Sequence, residues 1–130
     1  MIHEAIMETT ETVGRQVIDA ALAVHRLLGP GLLESAYEHC LAKELEQRSL
    51  RVDRQLALPV VYRGFTLEAG YRVDLLVAKS VVVEVKAVEA LTPVHDSQLL
   101  TYLKLSGHRL GFLINFNVPL IKQGIRRKVV

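Results

Sequence analysis

From Glu8 to Leu28 the apolar residues Val13, Val17, Ile18, Ala21, Leu22, Val24 and Leu28 recur with helical spacing, which predicts a long amphipathic helix. Gly29-Pro30-Gly31 then breaks the chain, because two glycines flank a residue with no N–H to donate. A second helix is predicted from about Leu32 to Arg48, with Leu33, Tyr37, Leu41 and Leu45 as its apolar stripe. The period then changes. Leu56, Leu58 and Val60 alternate as a half-buried strand does, and Tyr62-Arg63-Gly64-Phe65 reads as a turn. The runs Leu67–Val77 and Val81–Ala87 are rich in Val, Leu and Tyr and are separated only by Ala78-Lys79-Ser80, which predicts a hairpin. A third helix is well punctuated: Thr92 can cap it, Pro93 suits its first turn, and Gly107 supplies a left-handed stop. Leu110–Phe116 reads as a buried strand and Ile125–Val130 as a short edge strand. The order is helix, helix, three strands, helix and one or two strands, an α/β arrangement with helices flanking a sheet.

Polar residues inside these apolar runs mark the candidate chemistry. Side chains alternate across a sheet, so Glu84 and Lys86 share one face of their strand while Val81, Val83 and Val85 share the other. With a three-residue loop Val77 pairs with Val81, and the same register sets Asp74 opposite Glu84. Two like charges so placed destabilise each other, and a divalent cation between them reverses the sign. A two-residue loop would instead pair Asp74 with Val85 and spoil the site. The plain alternative is an amphipathic hairpin with its charges in water. Glu34, in the first turn of the second helix, is favoured there by the helix dipole alone but could also reach a site. Gln98 lies in a helical row with Thr101, Tyr102 and Leu105, where it is either solvated or holds a ligand. Tyr37 shares a helix face with Glu34, so it serves either the core or the rim of a pocket.

Composition narrows the class. The chain has 130 residues, half of them hydrophobic, and no apolar run long enough to span a bilayer, so no membrane role is expected. No linker or repeat divides residues 1–130, which read as one domain with a helix preceding its core. The N-terminus lacks the pattern of a secretory signal, and a single cysteine, Cys40, suits a reducing cytoplasm. A formal net charge of +2 permits nucleic-acid binding without arguing for it. The one basic cluster, Lys122, Arg126, Arg127 and Lys128, suits either a solvated edge or phosphate contact. His25, His39, His95 and His108 are scattered, and the neighbours His39 and Cys40 point in different directions on a helix. No phosphate-loop sequence occurs.

Several motifs in order carry a resemblance. Gly31-Leu32-Leu33-Glu34-Ser35-Ala36-Tyr37 matches the motif for which the GxxExxY protein family is named. Gly70-Tyr71-Arg72-Val73-Asp74-Leu75-Leu76, Glu84-Val85-Lys86-Ala87-Val88-Glu89, Gln98-Leu99-Leu100-Thr101-Tyr102-Leu103 and Leu113-Ile114-Asn115-Phe116-Asn117-Val118-Pro119 resemble the rest of its pattern. The likeness runs from about Val17 to Arg127. That family is grouped with the PD-(D/E)XK nucleases, so the resemblance implies a restriction-endonuclease-like α-β-β-β-α-β core with a mixed central sheet.

Carried over by position, the resemblance makes Asp74 and Glu84 metal-binding acids, Lys86 the catalytic lysine, Glu34 the acid of the first core helix, and Gln98 a helix glutamine of the site. The hard oxygens of Asp74 and Glu84 suit Mg²⁺ or Mn²⁺. Glu34 and the Val85 carbonyl could complete the set, and Gln98, Tyr102 and Tyr37 would position substrate. The expected activity is cleavage of phosphodiester bonds in DNA or RNA. The alternatives are a non-catalytic module binding nucleic acid or protein, and a hydrolase of a small phosphorylated molecule. Gripping a long substrate could require a homodimer, for which apolar helix surface could supply the interface.

Overall fold

The long amphipathic stretch folds as α1 (Glu8–Leu28) in the computed structural model, which describes residues 5–68 and 70–130. Residues 1–4, read above for a leader sequence, and residue 69, inside the expected Leu67–Val77 strand, lie outside the described residues. Gly29 and Gly31 both take positive φ, the conformation that glycine adopts without steric cost, and the chain reverses there. The second helix, α2, spans Glu34–Gln47. It starts later than expected: Leu33 is extended and 77% exposed, so it caps the helix and does not join its apolar stripe.

The strands that follow are β1 (Val52–Ala57), β2 (Val60–Tyr62), β3 (Phe65–Leu67), β4 (Arg72–Val77) and β5 (Val81–Lys86). Two expected strands are each divided. The Leu56–Val60 alternation breaks at Pro59, which has no N–H for a ladder, and the Leu67–Val77 run breaks around Gly70, at φ 79°. As a result β2 and β3 form a separate two-stranded hairpin across the expected Arg63-Gly64 turn. Helix α3 (Pro93–Ser106), β6 (Leu110–Asn115), a 3₁₀ turn (Ile121–Gly124) and β7 (Ile125–Val129) complete the chain.

The main sheet has the order β1-β4-β5-β6-β7. Among the described residues β5 and β6 pair in parallel, with α3 as the crossover between them, and the other pairs are antiparallel. With the β2–β3 hairpin set aside, α2-β1-β4-β5-α3-β6 follows the α-β-β-β-α-β order, in a mixed sheet flanked by helices.

Both faces of the sheet are covered. Val81, Val83 and Val85 join α1 and α2 residues such as Val17, Leu41 and Leu45 in one core, while Val82 joins Leu99, Leu103 and Leu113 in a second core under α3. Gly111 lets α3 approach closely, since a Cβ there would lie 3.0 Å from Leu99. The face of β5 that carries Glu84 is therefore buried at Val82 and Glu84 and is not a solvated surface. Among the described residues no helix is long and apolar enough to cross a membrane.

Candidate active site

The β4–β5 hairpin keeps the expected register, with Val77 opposite Val81 across a three-residue loop. Its ladder stops at Leu75↔Val83, one step before the acids. Beyond that point carboxylates take over from the backbone. The Asp74 N–H donates to Glu84 Oε2 at 2.8 Å, and the Val85 N–H donates to Asp74 Oδ2 at 2.9 Å. Alternation slips at the same place. Leu75 and Val77 face the α1–α2 core and Leu76 faces the α3 core, yet Val73 also faces α3.

Two residues not singled out from sequence support Asp74. Gln55 stands at φ 50° inside β1, a left-handed conformation that costs a non-glycine residue about 1–2 kcal/mol. There its Nε2 donates to Glu38 Oε1 at 2.6 Å and to Asp74 Oδ1 at 3.2 Å. Glu38 is buried on α2 and also pairs with Arg54 at 2.7 Å. The sequence signal for Glu38 was its position one helical turn after Glu34. Nothing in sequence marks the backbone conformation of Gln55.

The electrostatics follow from crowding a buried and a half-buried acid together. Burial and then the facing Asp74 carboxylate push the Glu84 carboxyl up to about 8, against the pull of the Asp74 N–H and the Lys86 ammonium. Glu34 adds to this rise, so it lies within electrostatic reach although it is exposed. Asp74 is also raised, first by burial, with Glu38 adding and the Val85 N–H opposing. Lys86 is half-buried and makes no ion pair among the described residues.

Lys86 is held from behind. The Phe116 N–H donates to the Lys86 carbonyl at 2.9 Å. The buried Asn115 side chain accepts from the Val88 N–H at 3.0 Å and donates to the Val88 carbonyl at 2.9 Å. On α3, Gln98 Nε2 donates to the Tyr102 hydroxyl at 3.0 Å. Burial and then the Glu84 carboxylate raise the Tyr102 phenol, so Tyr102 lies within electrostatic reach of the acids.

Other expected residues are elsewhere. Tyr37 does not reach a substrate surface. It is fully buried, stacks on Phe116 with centroids 4.6 Å apart, donates to the Gly29 carbonyl and accepts from the Leu32 N–H. It braces the Gly-Pro-Gly loop that leads into Glu34. His95 accepts the Thr92 N–H and so caps α3. The C-terminal cations are largely engaged: Arg126 and Lys128 pair with Asp96, and Arg127 with Glu11.

Among the described residues no three His, Cys, Asp or Glu side chains gather as a cage for a metal ion. Magnesium does not need such a cage, since it takes one or two carboxylates and keeps several waters. The pair Asp74 and Glu84 fits that requirement. Glu84 Oε1 accepts no hydrogen bond among the described residues, and a buried carboxylate with a strongly raised pKa is the kind of group a cation would favour in its ionised form.

A profile of the PD-(D/E)XK nuclease superfamily matches residues 11–128. No curated protein and no solved structure matches the chain.

Proposed function

The chain belongs to the PD-(D/E)XK nuclease superfamily, and from that premise we propose that it is a Mg²⁺- or Mn²⁺-dependent nuclease hydrolysing phosphodiester bonds in DNA or RNA. Within the superfamily we place it with the GxxExxY proteins, on the motifs around Glu34, Asp74, Glu84 and Gln98, and in the cytoplasm. The observation that carries the proposal is the interlocked Asp74–Glu84 pair with Lys86 beside it, free of any ion pair among the described residues.

Asp74 and Glu84 would hold the ion, with the Val85 carbonyl as a further oxygen donor, while Glu34 acts on the pair at electrostatic range and not as a third ligand. When bound, the ion supplies Lewis-acid polarisation of a phosphoryl oxygen and eases deprotonation of water at the site. The remaining work falls to side chains of this chain. Lys86 sets a fixed positive charge where negative charge develops on the phosphoryl group, and a group of this kind contributes about 2.7–4 kcal/mol to the rate. Gln98 and Tyr102, joined by their hydrogen bond, orient the substrate from the α3 wall. Gln55 and Glu38 keep the Asp74 carboxylate aimed and act through it.

The test is a cleavage screen over single-stranded, duplex and branched DNA and RNA with Mg²⁺ or Mn²⁺. Wild-type protein should cut at least one substrate, and Asp74→Ala and Lys86→Ala should not. Cleavage that survives Asp74→Ala would place the metal elsewhere, and the reading would fall.

A further inference from the structure

The β2–β3 hairpin presents a face that its own fold leaves uncovered. Its register pairs Val60 with Leu67 and Tyr62 with Phe65, and directly paired residues share a face, so these four side chains form one apolar row. Phe65 is 77% exposed and Tyr62 is 64% exposed. Val60 also lines a groove of about 500 Å³ against α3, whose other walls include Tyr71, Val94, Gln98, Tyr102 and Leu105. The hairpin row and the groove are therefore one continuous surface, with a projecting part beside a receiving part.

Three arguments identify what covers it. The first is charge. No Asp, Glu, Lys or Arg is among the side chains of the row and the groove; Arg63, at the turn, reaches the end of the row with its guanidinium over the Tyr62 ring at 5.4 Å. A polyanion is gripped by cations, whereas the centre of a protein interface is depleted of charge and enriched in aromatic residues. The second is area. With aromatic side chains burying about 150–250 Å² each, the exposed parts of Tyr62, Phe65, Leu67, Tyr71, Val94 and Leu105 together offer on the order of 700 Å². That approaches the roughly 800 Å² per partner of a standard interface and exceeds what a monomer usually leaves open. The third is the hairpin itself, which has two strands among the described residues, and a sheet of two strands is marginal in water.

We infer that this face is the interface of a symmetric homodimer, in which each copy seats its β2–β3 hairpin in the α3 groove of the other. Hairpin and groove lie side by side, so a two-fold rotation satisfies both at once and closes the assembly without leaving a free end. The dimer does not depend on the cleavage chemistry. Its consequence does rest on the nuclease reading: Tyr62 and Phe65 from the second copy would pack on the groove side of Gln98 and Tyr102 and fix that pair from behind, leaving the side toward Glu84 for substrate.

Sedimentation equilibrium of the full chain, without metal or nucleic acid, tests the interface independently of activity. Wild type should sediment at twice the chain mass at micromolar concentration. Phe65→Asp and Val94→Glu should each weaken association by about tenfold or more while leaving the far-ultraviolet circular dichroism unchanged. Both positions are exposed, and a glutamate at residue 94 is favoured by the N-terminus of α3, so each variant should fold. A wild type that stays monomeric, or variants that dimerise as tightly as wild type, overturns the proposal. A monomer whose Phe65→Asp form loses single-stranded oligonucleotide binding would assign the face to nucleic acid and overturn it as well. A dimer that cuts no substrate would sink the nuclease reading and leave this one standing.

Discussion

Asp74 and Glu84 do not simply face each other: the Asp74 backbone N–H is bound by the Glu84 carboxylate, while the Asp74 carboxylate binds the Val85 N–H. The two acids thus replace the rung that the β4–β5 ladder lacks beyond Leu75↔Val83. Their proximity is a product of strand pairing, and it holds the two carboxyl groups together before any ligand arrives.

Charge and shape can be separated at Asp74. Asp74→Asn keeps an oxygen for the Val85 N–H but removes the negative charge. Metal-dependent cleavage should fall on the order of 10²–10³-fold, with little change in the thermal midpoint. A large loss of stability with retained specific activity would show that Asp74 is only a strand clamp.

The raised Glu84 carboxyl makes metal-free stability depend on pH. Between an ordinary glutamate value of 4.5 and about 8 the unfolded chain ionises this group while the folded chain keeps it protonated. The folded state then binds more protons, so the Glu84 contribution to stability falls as pH rises through that window and levels off above it. In urea denaturation with a chelator present, Glu84→Gln should lose this part of the pH dependence and be more stable than wild type at pH values above the window. Added Mg²⁺ should stabilise wild type more at the top of the window than at its foot, because the ligand must be ionised to bind. Parallel pH profiles for wild type and Glu84→Gln would refute the assignment.

Gln55 allows backbone strain to be told apart from side-chain support. Gln55→Ala and Gln55→Gly both remove the amide that joins Glu38 to Asp74, so both should slow cleavage by a similar factor, about tenfold to a hundredfold. Their stabilities should differ. The glycine variant should be the more stable by about 1 kcal/mol, because φ 50° is strained for alanine. Equal chemical-denaturation midpoints would argue against the strain.

Tyr37→Phe should cost about 1–3 kcal/mol of stability by leaving the Gly29 carbonyl and the Leu32 N–H without their shared hydroxyl. Cleavage per folded molecule, measured well below the melting transition, should stay close to wild type. A raised KM with unchanged stability would return Tyr37 to the substrate surface.

Features set by local rules were readable from the sequence. The ends of α1, the capped start of α3 at Thr92-Pro93 and the Gly107 stop each depend on a few adjacent residues, and all three lie where the pattern puts them. The Val77↔Val81 register followed from the length of one loop, and with it the meeting of Asp74 and Glu84. What escaped was tertiary. Leu56, Leu58 and Val60 alternate as one strand would, but Pro59 divides them between the main sheet and the separate hairpin. Tyr37 belongs to the apolar stripe of α2 yet lies one turn from Glu34, and its burial against Phe116 decides between the core and the rim of a pocket. Gln55 is polar in a strand of mixed exposure, and its positive φ has no counterpart in its identity.

The Asn115 strap bears on how Lys86 moves. A lysine at the last position of a strand ordinarily sits on a backbone that opens and closes many times a second, sweeping its ammonium over a wide volume. Here Asn115 bonds both polar groups of Val88 and Phe116 bonds the Lys86 carbonyl, so the parallel edge continues past its formal end. The Val88 amide should therefore exchange its hydrogen with solvent as slowly as an interior strand position, and Lys86 starts from a fixed anchor with only its side-chain torsions left to sample.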